Sequence, residues 1–212
     1  MITRSTVVLL VATGILFAIY PLLRPYSSEM GRAGAEAFAS PWWVVAHVSA
    51  TLGFLALALF VRQVRAGTLV EVTTLVGVAL VLPYYGAETF ALHALGTEAL
   101  QTDTSTTGSS DLVALAEPIR YGAVQVTMFG VGLVLVAVGA VAFALRTGGR
   151  GALLFAAGFL LFLPQFFAPP WLRIAHGLLI LVGALLMAVQ LLRHAHEHRA
   201  TDDQEISTTT GA

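Results

Sequence analysis

Six apolar stretches dominate this chain, near 5–23, 41–62, 68–85, 119–146, 151–168 and 171–193, and two longer polar-containing segments, 24–40 and 86–118, separate some of them. A run of about 18 or more apolar residues is long enough, as a helix, to cross roughly 30 Å of hydrocarbon. The pattern predicts an all-α polytopic membrane protein with six transmembrane helices.

Arginines divide unequally between the two ends of these helices. Arg4, Arg62, Arg65, Arg146, Arg150, Arg193 and Arg199 fall on one side, and Arg24, Arg32, Arg120 and Arg173 on the other. Loops rich in Lys and Arg stay in the cytoplasm, so both termini are expected there, with 24–40 and 86–118 facing outward. The expected location is the cytoplasmic (inner) membrane, as a multi-pass protein. Arg4, the first apolar run and the small-residue site Ala37-Phe38-Ala39 have some marks of a signal peptide. The run and its distance to that site are too long for cleavage.

Proline punctuates the helices in a repeating way. The three outward-running stretches end at Tyr20-Pro21, Leu82-Pro83-Tyr84-Tyr85 and Leu163-Pro164-Gln165-Phe166-Phe167, and the inward-running ones open after Pro41, Pro118 and Pro170. A missing N–H costs nothing at a helix start and ends a helix cleanly elsewhere. The chain therefore reads as three pseudo-repeated αα-hairpins, about 1–66, 67–148 and 149–199, in one domain 1–199. The polar tail 200–212 is expected to be disordered. Two hairpins share a phrase, Pro41-Trp42-Trp43-Val44-Val45-Ala46-His47 and Pro170-Trp171-Leu172-Arg173-Ile174-Ala175-His176, which puts a histidine at the same depth in each. The middle hairpin has Val124 there, with Gln125 beside it.

Composition narrows the chemistry. With 57% hydrophobic and 11% charged residues, the polar surface is too small to cover a soluble globule, and the first partner is the lipid bilayer itself. A net charge of −1 with scattered basic residues excludes nucleic acid as a partner. Cysteine is absent, which removes disulfides, thiolate catalysis, iron–sulfur clusters and covalently attached haem.

A histidine at membrane depth is costly unless it faces the bundle interior or a wet cavity. His47 and His176 are thus candidate axial ligands of a b-type haem, with one-electron transfer, and a quinone as membrane partner, as the expected role. Arg173, one turn outward of His176, and Arg120 at the same surface would hold the propionates. The plainer alternative is a helix-bridging hydrogen bond for each histidine and lipid-phosphate contact for each arginine. A second function comes from residues 82–93, which carry Glu88, two phenols and His93. This is a metal-dependent membrane enzyme acting on a lipid or isoprenoid substrate, with His47, His93 and His176 on Zn, Cu or Fe and Glu88 as catalytic proton carrier. Glu88 and His93 do not share a face of a regular helix, so their spacing alone makes no chelate. The third is a non-catalytic accessory or structural subunit with partner membrane subunits and no cofactor. His194 and His198, at i and i+4, form a loose metal pair beyond the last apolar stretch.

Overall fold

The computed structural model describes residues 3–102 and 112–210, with side chains through Arg193. It is helical, without strands among the described residues. The helices are α1 (Arg4–Leu23), α2 (Gly31–Ala39), α3 (Pro41–Gln63), α4 (Thr68–Gly86), α5 (Leu92–Gln101), α6 (Ala116–Tyr121), α7 (Ala123–Thr147), α8 (Arg150–Leu160) and α9 (Pro170–Thr210). A π turn, Ala87–Ala91, joins α4 to α5, and a 3-10 turn, Pro164–Phe167, follows α8.

Among the described residues, five helical stretches are long and apolar enough to cross a membrane: α1, α3, Thr68–Gln101, α7 and Pro170–Arg193 of α9. The expected stretch 151–168 differs. It forms the 11-residue α8, about 16 Å long at 1.5 Å per residue, and then turns. Pro164 supplies the reason, because its ring would clash with the carbonyl of Leu160, where α8 stops. The other prolines behave differently, since α1 runs through Pro21 and α4 through Pro83. The segments expected as outer loops are consequently helical in part, holding α2 and the α4–α5 continuation. The fourth stretch begins at Ala123 rather than 119, because Gly122 is extended (ψ 149°) and separates α6 from α7.

Six helices, the five membrane-length stretches and the shorter α8, close a ring in chain order. α1 packs on α3, α3 on α4, α4 on α7, α7 on α8, α8 on α9 and α9 back on α1. Lipid offers no hydrophobic drive for helices to associate, so close approach at small residues does the work. Gly77 lies against Gly132 and Val136, Gly14 against Leu181 and Ala184, and Gly183 against the backbone of Phe155. The falling partner numbers along each pair make these neighbours antiparallel. The ring is filled by Phe17, Phe54, Phe155, Phe159 and Phe162, all fully buried and in ring contact with one another. Leu59, Val134, Val138 and Leu185 are exposed on its outside, as lipid-facing positions are.

A second, smaller core covers one end of the ring. Ala35 and Phe38 of α2, Trp43 of α3, Leu92 and Ala99 of α5, Val113 and Ala116 are buried together there. Gly96 lets α5 settle directly onto the backbone of Ala35 and Ala39.

Candidate functional site

Under this cap the π turn presents an acid to the bundle interior. One wider turn buries two consecutive residues, Glu88 and Thr89, and leaves Phe90 outside. Single π turns inside α-helices are frequent at functional sites. Trp43 Nε1 donates to the Glu88 carbonyl at 2.6 Å and so ties the turn to α3.

Four charged side chains then form a chain. Arg24 donates to Oε1 of Glu29, and Arg120 Nη1 donates to Oε2 of Glu29 at 2.6 Å. Arg120 Nε lies 3.0 Å from Oε1 of Glu88, and Oε2 of Glu88 lies 3.6 Å from His47 Nε2, beyond hydrogen-bond reach. The Arg120 Nε–H is not aimed at the carboxylate despite that short separation. Arg120 Nε, Arg24 Nε and Glu88 Oε2 are thus buried without a hydrogen-bond partner. Polar atoms left unpaired inside a low-dielectric site are costly. Burial by itself lowers an arginine pKa. Here the neighbouring carboxylates and phenols outweigh it, and Arg24 and Arg120 are both held above their ordinary value, firmly charged. Aromatic faces complete the arrangement, with the Arg24 guanidinium 4.8 Å from the Trp43 ring and that of Arg120 5.4 Å from Phe38.

These groups border a cavity of about 660 Å³. Its lining includes the polar side chains of Arg24, Arg120, Arg173, Glu29 and Glu88, the phenols of Tyr20 and Tyr84, and the apolar Phe129, Leu163, Phe166 and Phe167. Three arginines against two glutamates leave one positive charge in excess. Arg173 is placed by the turn after α8, where it donates to the carbonyls of Phe166 and Ala168. The volume is that of a small-molecule site, and its chemistry suits an anionic head with an apolar body.

The residues singled out from the sequence divide between several places. Glu88, Arg120 and Arg173 meet at the cavity, with His47 directly behind Glu88. His47 donates through Nδ1 to the Trp43 carbonyl at 2.7 Å. His176 Nε2 instead pairs with the Gly158 carbonyl at 2.7 Å. From His47 to His176 the ring contacts run through Tyr85, Phe54 and Phe162, an aromatic block in the interior. His93 sits in the cap, its Nδ1 paired with the Phe38 carbonyl at 2.9 Å. No group of three His, Asp or Glu side chains among the described residues is placed to hold a metal. His194 and His198 lie outside the described side chains.

Arg24, Glu29 and Trp43 belong to the site and were not singled out as site residues. Trp43 did carry a signal, since it occupies the position of Leu172 in the second phrase and so marks where the two copies depart. Arg24 and Glu29 carried none beyond being charges in an outer segment.

Fold and site together define a helical multi-pass membrane protein with a charged, partly apolar cavity at one end of its bundle. Compared with family models, with curated proteins and with solved structures, the chain matches none.

Proposed function

We propose that this protein binds an amphiphile with an anionic head in the cavity beneath its cap, on the outer side of a six-crossing bundle with both termini cytoplasmic. A sixth crossing is supported by the way 149–168 is held against α9. Gly149 lies beside the Gln190 side chain, the Gly158 carbonyl meets His176, and the Ala168 carbonyl meets Arg173. The segment therefore covers the same depth as Arg173–Gln190, 17 residue steps or about 26 Å. That is most of a hydrocarbon core, reached by α8 together with its turn.

The observation that carries the binding reading is the excess of cations, one of them the buried Arg120, around a cavity that is also lined by aromatic and aliphatic side chains. Arg24, Arg120 and Arg173 would take the head, and Phe129, Phe166 and Phe167 the start of the tail. A lipid or isoprenoid head matches this chemistry, and Glu88 stands where it would exchange a proton with it. Native mass spectrometry of the protein in a neutral detergent, titrated with phosphatidylglycerol and phosphatidylcholine, tests the reading. The anionic lipid is expected to be retained selectively, and Arg173→Gln and Arg120→Gln to lose that selectivity. Equal retention of both lipids by the wild type would overturn it.

One observation favours haem b as a second reading. Arg120 and Arg173, the two arginines expected on its propionates, border one cavity. Ligation by His47 and His176, with one-electron transfer as the role, then requires the rings between them to give way. An oxidised-minus-reduced absorption spectrum decides this. A sharp α-band that disappears in His47→Ala and in His176→Ala supports haem, and a featureless spectrum from cells with ample haem refutes it.

A further inference from the structure

The ion pair at the mouth of the cavity has the form of an occupied binding site. We propose that the Glu29 carboxylate is a surrogate for the head of the ligand, and that a carboxylate or phosphodiester monoanion displaces it from Arg24 and Arg120. This rests on the anionic-amphiphile reading and names both the head and the means by which the site is kept closed.

The geometry is that of a bound oxyanion. Glu29 gives one oxygen to each of two guanidiniums, Oε1 to Arg24 and Oε2 to Arg120, the bridging arrangement through which arginines recognise carboxylate and phosphate. The two receptors lie deeper than the bridging anion. The side chains of Arg24 and Arg120 are 10% and 5% exposed, whereas that of Glu29 is 28% exposed. Neither Nε makes a hydrogen bond, although that of Arg120 lies 3.0 Å from Oε1 of Glu88, so both arginines have donor capacity that Glu29 leaves unused.

Glu29 has somewhere to go. It borders the inner cavity and also an outer one of about 540 Å³, and only Arg120 and Tyr121 are shared with it between the two linings. Its backbone is held, because the carbonyl carbon of Glu29 would stand 2.6 Å from a Cβ placed on Gly34. Displacement is thus a side-chain rotation from the inner cavity to the outer one, with the segment between α1 and α2 left in place. Charge defines the incoming head. Withdrawing Glu29 leaves Arg24, Arg120 and Arg173 facing Glu88, an excess of two positive charges, and a monoanion returns this to one. A diphosphate, with two or three negative charges, would cancel or reverse the charge of the site.

The full-length protein in dodecyl maltoside, with Glu29→Ala and Glu29→Gln variants, tests this by native mass spectrometry. The probes are oleate as a carboxylate and phosphatidylglycerol as a phosphodiester, with phosphatidylcholine as control. Removing the internal competitor is expected to tighten binding of the anionic probes about tenfold, with the control unchanged. Tightening for one probe alone identifies which head the site takes. Glu29→Gln keeps the shape of the side chain and decides the matter if Glu29→Ala does not fold. Unchanged or weaker binding in the folded variants, while the wild type still prefers anionic lipid, overturns the surrogate role and leaves the binding reading standing. No anionic preference in the wild type removes both.

Discussion

Replacing Arg120 with Met strikes the charged chain at its centre. The Arg120 and Glu88 side chains are 5% and 7% exposed, so the substitution leaves the Glu88 carboxylate without its nearest cation in a site almost closed to water. Removing one partner of a buried pair costs about 3–5 kcal/mol, because the remaining charge is left uncompensated. Glu88 borders the cavity, and Glu29 retains Arg24, which places this case at about 3 kcal/mol, the lower end of that range. For a chain of this size that corresponds to a fall in Tm of about 6–12 °C. The double variant Arg120→Met/Glu88→Gln abolishes the orphan charge and is expected to recover to within about 1 kcal/mol of the wild type. Thermal unfolding in detergent, followed by tryptophan fluorescence, reads both. A single variant that loses less than about 2 °C, or a double variant less stable than the single, would refute the claim that these two charges form a buried pair.

Two further outcomes follow from the packing and the orientation. A Cβ at residue 183 would stand 2.5 Å from the backbone nitrogen of Phe155, so Gly183→Ala is expected to force α9 off α8 and cost about 1–3 kcal/mol in the same unfolding assay. Gly130→Ala, where nothing lies within 4 Å, is expected to leave Tm unchanged or slightly raised. Because the chain has no cysteine, single cysteines report their side of the membrane without background. Ser27→Cys and Phe167→Cys should react with an impermeant maleimide on intact cells, and Thr147→Cys only after permeabilisation. Labelling of positions 147 and 167 from the same side would show that α8 and its turn do not cross.

Much of the helical architecture was legible because it depends on local quantities. Hydrocarbon thickness sets how long an apolar run must be, and the apolar runs near 5–23, 41–62 and 171–193 became α1, α3 and the membrane-length part of α9 with little change at their ends. Proline was harder to read. Pro164 ends α8, yet α1 passes through Pro21, and the Phe17 carbonyl which that proline leaves unbonded lies against Gly177 of α9. In a membrane bundle a neighbouring helix accommodates a freed backbone group, so whether a proline breaks its helix depends on what packs beside it.

The site was legible only in fragments. Glu88, Arg120, Arg173 and His47 stood out as costly polar groups near the membrane, a judgement that needs only burial and charge. Their partnership did not follow from spacing. On a regular helix Glu88 faces away from His93, and only the π turn aims it instead at His47 and Arg120. Matching depth placed His47 and His176 together in the sequence, whereas ring order puts them on helices separated by α1, with aromatic side chains between.

Length, hydropathy, the distribution of arginine and the absence of cysteine determined the class of protein, its helices and the elements available for chemistry. Tertiary structure alone decided that residues 24, 29, 47, 88 and 120 form one cluster over one cavity. Apolar periodicity reports how each helix meets lipid. It carries no term for which helices become neighbours, and that choice rests on close glycine contacts and one widened turn.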